Sequence, residues 1–193
     1  MIAYLPIKGI LIKASLIIIL FLFLPISSLA CQFKVTKVYD GDTLKVKGNG
    51  TEMEVRLVGI DAPETRKNNI EIGQPYNQEA KEHLEGLVLN KVVEIKGYGY
   101  LKDNLILGSV FLAGQNINLE MVQAGLAEVF RWKIPAALDL EPFFKVERAA
   151  RAAKKGIWIQ GDQYIRPSAW RKRQRIRSIC AIILFGLCKQ KKK

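Results

Sequence analysis

Two short acid-bearing segments carry the residues best suited to chemistry: Asp40-Gly41-Asp42-Thr43, and the run Val55-Arg56-Leu57-Val58-Gly59-Ile60-Asp61-Ala62-Pro63-Glu64. The first, by itself, is only a turn signal. The second is unusual. Arg56 sits within an apolar stretch, and two carboxylates close that stretch with a proline between them. A charged side chain among apolar neighbours is costly unless it is paired or points into a site. Oxygen ligands such as Asp42 and Asp61 favour a hard cation, Ca²⁺ or Mg²⁺, over zinc. The guanidinium of Arg56 offers a bidentate fork matched to phosphate, which a lysine does not. A metal and a guanidinium can both stabilise charge that develops on phosphoryl oxygens. Glu64, three residues beyond Asp61, can reach a water without being a ligand, and a placed carboxylate is a competent general base. Together these residue types suit phosphodiester cleavage.

Other chemistries are narrowed by counting. His83 is the single histidine of the chain. A Ser-His-Asp triad would have to use it, and a histidine-rich zinc site is excluded. Glu82 and Glu85 beside it point to a solvated helix face. The cysteines, Cys31, Cys180 and Cys188, form no CxxC pair, and residues 32–179 contain none, so the body does not rely on disulfides. Phe130-Arg131-Trp132-Lys133 mixes aromatic and basic residues. Arg131, Trp132 and Lys133 are candidates for substrate binding, by stacking on bases and meeting phosphates. Trp158 after Gly156 reads as core, and Trp170 as an interfacial anchor at the head of a basic tail.

The elements that would position these residues are short. Phe33–Val38 alternates apolar and polar, Thr43–Lys47 resumes that alternation after the DGD turn, and Gly48-Asn49-Gly50 marks a hairpin. Glu52–Ile60 reads as a third strand, Val92–Ile95 and Leu105–Phe111 as two more. Asp61–Tyr76, with Pro63, Gly73 and Pro75, reads as a long loop, of the kind that is usually functional or mobile. Helices are expected over Asn77–Leu89, from a cap at Asn118 to a stop at Gly125, and over Leu140–Lys155. Five short strands with helices among and after them give an α+β, mainly β fold. The expected architecture is a five-stranded OB-fold barrel with packed helices.

The 30 Lys+Arg and 18 Asp+Glu give a net charge of +12. All 18 acids fall in residues 32–163, against 18 bases, so the excess sits at the two ends. Lys8 and Lys13 precede an uncharged run to Cys31, with Pro25 and then Ser28-Leu29-Ala30 before it, the pattern of a secretory signal; an N-terminal anchor is the alternative. Residues 164–193 hold ten Lys+Arg and no acid, and they flank the apolar decapeptide Ile179–Cys188. As a helix that piece covers roughly 15 Å, too short to span a bilayer, and suits insertion at an anionic membrane surface; the alternative is a polyanion-binding tail. The expected division is therefore 1–31 signal or anchor, 32–163 the barrel domain, and 164–193 the basic tail. The expected location is extracytoplasmic, either secreted or membrane-associated, and a monomer is expected.

The segments VYDGDTLKV, VRLVGIDAPE, QPYNQEA, NLEMVQAGLAEVF and AARAAKKGIW occur in the order found in the thermonuclease (staphylococcal-nuclease-like) family, which the chain resembles over about residues 33–158. VRLVGIDAPE is the specific one. The resemblance implies an OB-fold barrel and Ca²⁺-dependent hydrolysis of DNA and RNA. Carried over by motif, Asp42 and Asp61 bind the metal with the backbone carbonyl of Ala62. Arg56 grips the phosphate, Glu64 activates the water, and Asp40 supports the turn. One position departs: the family's second catalytic arginine falls on Leu105, and its neighbouring tyrosine on Asp103. Lys102, three residues away on an extended chain, is expected to face the opposite side. The sequence thus predicts a nuclease site with one arm missing. The alternative is a membrane-associated OB-fold module that binds nucleic acid without cleaving it.

Overall fold

The computed structural model describes residues 32–66, 72–102 and 104–190, with side chains described as far as Ile179. The expected signal segment 1–31 and Asp103 lie outside the described residues. Strand β1 (Gln32–Val38) buries Phe33, Val35 and Val38. Strict alternation would turn Lys37 inward. A shift of register between Val35 and Lys37 in its pairing with β2 (Thr43–Gly48) puts Val38 there instead. One extra residue in a strand re-aims every side chain after it.

β3 (Thr51–Leu57) pairs antiparallel with β2, so that Thr43 lies opposite Arg56. β5 (Val92–Lys102) pairs antiparallel with β1 and with β6 (Leu105–Leu112). β6 then runs parallel to β3, with Glu54 opposite Leu105. That last pairing closes a five-stranded barrel, which leaves no open edge among these strands. The barrel is filled by Val35, Leu44, Val46, Val55, Leu57 and Val110, each at most 1% exposed. The barrel expected from the strand pattern is therefore the one observed.

The expected third strand stops at Leu57. Val58 and Gly59 turn the chain, Gly59 at φ +81°, and β4 (Ile60–Asp61) pairs with β8 (Glu128–Val129) in a separate two-residue ribbon. Helix α1 (Asn77–Val88) turns Ala80, Leu84 and Val88 onto the core. His83, expected on a solvated face, is half-buried, and among the described residues its Nε2 has no hydrogen-bond partner. After the short β7 (Gln115–Asn116), helix α2 (Ile117–Gln123) is capped by Asn116, whose side chain accepts from the Leu119 amide at 3.1 Å. The expected cap, Asn118, does different work. It is fully buried; its Oδ1 accepts from Val110 N–H at 2.9 Å, and its Nδ2 donates to the carbonyls of Val58 at 2.9 Å and Gly108 at 3.0 Å. It thus pins β6 to the turn that leads into β4. Helix α3 (Glu141–Ala152) and a 3₁₀ stretch, Gly156–Gln163, follow. Trp158 is buried as expected, edge-on to Tyr164 and under the Arg151 guanidinium, 3.7 Å from its ring centroid.

Helix α4 (Pro167–Gln190) carries six of the ten cationic residues and the apolar decapeptide as one continuous 24-residue element. Among the described residues no helix is long and apolar enough to cross a membrane. The division expected at residue 163 is crossed by contacts. Tyr164 Oη donates to Glu128 at 3.2 Å, Arg166 Nε pairs with Glu128 at 2.9 Å, Gln74 Nε2 donates to the Ile165 carbonyl at 2.6 Å, and Gln174 Nε2 to the Ile72 carbonyl at 3.0 Å. The start of the expected tail is part of the folded body.

Candidate active site

The DGD turn places Asp42 at the mouth of the barrel. Asp40 Oδ1 accepts from the Asp42 amide at 3.0 Å, and the Asp42 carbonyl accepts from Leu57 N–H at 2.7 Å, tying the turn to the end of β3. Gly41 is required by close approach. A Cβ there would stand 2.7 Å from the Cβ of Ala80 and 2.8 Å from that of Ala62, which no ordinary packing allows. Asp42 is 2% exposed, yet well bonded: Oδ1 accepts from Thr43 Oγ1 at 2.8 Å and Oδ2 from Ala62 N–H at 3.1 Å.

Arg56, on β3, joins the two acid segments. Its Nη2 donates to Asp42 Oδ2 at 2.9 Å and to Asp61 Oδ1 at 3.0 Å. The charge of Asp42, with that of Asp61, holds the guanidinium's pKa above its ordinary value against the opposing effect of burial. Asp61 lies on β4, fully buried, and burial raises its pKa while its arginine partners oppose the rise. Burial, with the neighbouring charge of Asp42, pushes Asp40 up to about 7. Glu64 follows Pro63 on the loop, where its amide donates to Gln74 Oε1 at 3.2 Å. The structure therefore brings Asp40, Asp42, Arg56, Asp61, Ala62 and Glu64 into one locality.

A second guanidinium completes the cluster, and sequence reasoning did not single it out. Arg171, on the first turns of α4, donates from Nη1 to Asp61 Oδ1 and from Nη2 to Asp61 Oδ2, both at 2.9 Å, and Nη1 also meets Glu64 Oε1. Its nearest sequence signal is the Pro167-to-Arg171 stretch, where a proline opens a helix just before Trp170 and Arg171. Nothing in the chain between tells that arginine from the other cations of the tail.

Beside the cluster lies a cavity of about 460 Å³, lined among others by Arg56, Glu64, Lys102, Leu105, Trp132 and Arg171. Leu105 thus stands in the wall of this cavity. Lys102 does not face away. It lies directly opposite Leu105 across the β5–β6 turn, and residues paired across strands share a face. The expectation failed because β5 and β6 pair antiparallel here, with Lys102 opposite Leu105, and do not continue as one extended strand. Of the three candidate substrate residues, Trp132 is 70% exposed and lines the cavity together with Lys133. Arg131 is engaged elsewhere. Its guanidinium pairs with the buried Glu147, which also accepts from Val129 N–H at 2.8 Å, and it donates to the Val129 carbonyl at 2.7 Å.

The donor set fits a hard divalent cation. All side-chain donors are oxygen, and the carboxylates of Asp40, Asp42, Asp61 and Glu64 crowd together with two guanidiniums as their counter-charge. Among the described residues no three His, Cys, Asp or Glu side chains form a ready-made metal cage. A cation held by Asp42, Asp61 and the Ala62 carbonyl would therefore draw its remaining ligands from water and substrate oxygens.

Comparison with known proteins agrees with this geometry. Residues 54–160 match the family described as staphylococcal nuclease homologue. An uncharacterised endonuclease of Haemophilus influenzae is 34% identical over 145 residues, 74% of each chain. An uncharacterised endonuclease of Escherichia coli is 31% identical over 160 residues, 81% of this chain and 96% of that protein. The thermonuclease of Staphylococcus hyicus is 31% identical over 128 residues, 65% of this chain and 75% of that protein. With the closed barrel, the motif order and these matches in agreement, the chain belongs to the staphylococcal nuclease family.

Proposed function

We propose that this protein is a Ca²⁺-dependent nuclease that hydrolyses DNA or RNA outside the cytoplasm. The observation that carries the reading is the bridge from Arg56 to both Asp42 and Asp61, with Glu64 at the same cavity. Asp42, Asp61 and the Ala62 carbonyl would hold the cation, which supplies charge to neutralise the phosphate and its transition state. Arg56 orients the scissile phosphate and donates to its non-bridging oxygens. Glu64 takes a proton from a water whose oxygen bonds to phosphorus; the P–O ester bond breaks, and the leaving oxygen takes a proton from solvent. Trp132 and Lys133 offer a base-stacking face and a phosphate contact on the cavity rim.

A second reading, a nucleic-acid-binding module without chemistry, is favoured by one observation, the apolar Leu105 in the cavity wall. Digestion of single-stranded DNA by the full chain, in Ca²⁺ and in EDTA, separates them. Cleavage only with Ca²⁺, lost in Glu64→Gln by ~10²–10⁴-fold, supports the nuclease. Tight binding with no cleavage in either buffer supports the module. The extracytoplasmic location rests on the signal-like sequence before Cys31. A membrane association of the C-terminal helix rests on its cations and apolar decapeptide.

A further inference from the structure

We propose that Arg171, delivered by the C-terminal helix, is the second catalytic arginine of this nuclease and takes the place that Leu105 leaves empty on the barrel. This rests on the nuclease reading and adds to it a residue from outside the region that matches the family. Leu105, Arg56, Glu64 and Arg171 line one cavity, so the C-terminal helix brings a guanidinium to the space that an arginine on β6 would reach. The side chain is 33% exposed and lines that cavity. Its fork lies flat on Asp61, and one nitrogen reaches Glu64. That is the position next to which the attacked phosphate must sit if Asp61 holds the cation and Glu64 the water. With the charge of Asp61 taken up by a divalent cation, the guanidinium is free to exchange a carboxylate for the two non-bridging oxygens of a phosphodiester, which meet the same fork.

This contact is not the segment's one tie to the body. Arg166 on Glu128, Gln174 on the Ile72 carbonyl, and Gln74 on the Ile165 carbonyl hold the same segment from three sides. These contacts are still present when the charge of Arg171 is changed, so its role at the site can be tested apart from the docking of the segment.

Steady-state cleavage of a single-stranded oligonucleotide by the full chain, in Ca²⁺, tests the assignment. Arg171→Gln should lower kcat by ~10²–10³-fold, the loss of one transition-state donor, with a much smaller change in KM. Arg171→Lys, which keeps a cation beside Asp61 but not the fork, should fall between. Leu105→Arg should restore on the order of tenfold or more in the Arg171→Gln background, and gain little in the unsubstituted chain, where the place is already filled. Equal or faster cleavage by Arg171→Gln overturns the proposal and makes the guanidinium a plug over Asp61 and Glu64. So does a slow variant that Leu105→Arg, shown to be folded by its melting curve, does not rescue. Should the double variant not fold, Arg171→Lys decides, and full turnover in it overturns the proposal. No cleavage by the unsubstituted protein in Ca²⁺ overturns the nuclease reading itself, a result distinct from all of these.

Discussion

Each carboxylate of the site is held in a different way, and its fate on substitution differs accordingly. Asp42 is buried and bonded by Thr43, Ala62 and Arg56. Replacing it with alanine removes a carboxylate from the proposed ligand set and leaves Arg56 one acceptor short. We expect Asp42→Ala to weaken Ca²⁺ binding by on the order of tenfold or more, with cleavage falling in step. Calorimetry that finds unchanged Ca²⁺ affinity would remove Asp42 from the ligand set. Gly41 is a different kind of residue, chosen for what it lacks. Gly41→Ala drives a methyl into Ala80 and Ala62, and a loss of about 1–3 kcal/mol in urea unfolding is expected, as for other overpacked sites. Because the strain falls between Asp40 and Asp42, cleavage should suffer as well.

Among the elements, the turn from β3 into β4 is the one on which the site depends. It carries the chain from Arg56 on the barrel wall to Asp61 on the ribbon, and Asn118 fixes it from beneath. Asn118→Ala leaves the Val110 amide and the Val58 carbonyl without that partner in a buried setting. A cost of about 2 kcal/mol or more follows, read as a lower urea midpoint with an unchanged slope. A midpoint equal to that of the unsubstituted protein would show that water replaces the amide there. Helix α4 is the other decisive element, since it couples a cationic surface stretch to the carboxylates of Asp61 and Glu64 through Arg171.

For the whole molecule, the place where the chain is cut decides the outcome. Removing residues 180–193 leaves every contact of Tyr164, Arg166, Arg171 and Gln174 in place, so the melting temperature should hold. Removing 164–193 strips Glu128 of Arg166 and Tyr164, and its side chain is only 2% exposed. Breaking a buried pair from one side costs about 3–5 kcal/mol, less here because the Arg166 side chain is half exposed, and a Tm lower by ~5–10 °C is expected by calorimetry. Equal Tm values for the two truncations would place the domain boundary at 163 after all. The shorter truncation should also abolish sedimentation with anionic vesicles, as should changing Ile182 and Leu184 to serine with charge kept. A tail that binds only polyanions would be indifferent to the serines.

The sequence by itself determined the barrel and most of the candidate site's membership, because both are written locally. Period-2 alternation marks a strand wherever one face is buried, and Asp42, Arg56, Asp61 and Glu64 sit within turns and strand ends whose spacing in the chain sets their spacing in space. It also carried, at Leu105, the departure from the family pattern on which the proposal for Arg171 builds. Only the tertiary structure decided what stands nearby. The pairing of Arg171 with Asp61 joins residues 110 apart in the chain. No local pattern distinguishes the one cation of a basic run that a folded helix turns onto a buried carboxylate from those it leaves in water. The same holds for Lys102, whose direction depended on a hairpin, and for Asn118, whose three partners lie on other turns of the chain. A charge or an amide declares its type in the sequence; its partner is chosen when the helix docks and the barrel closes.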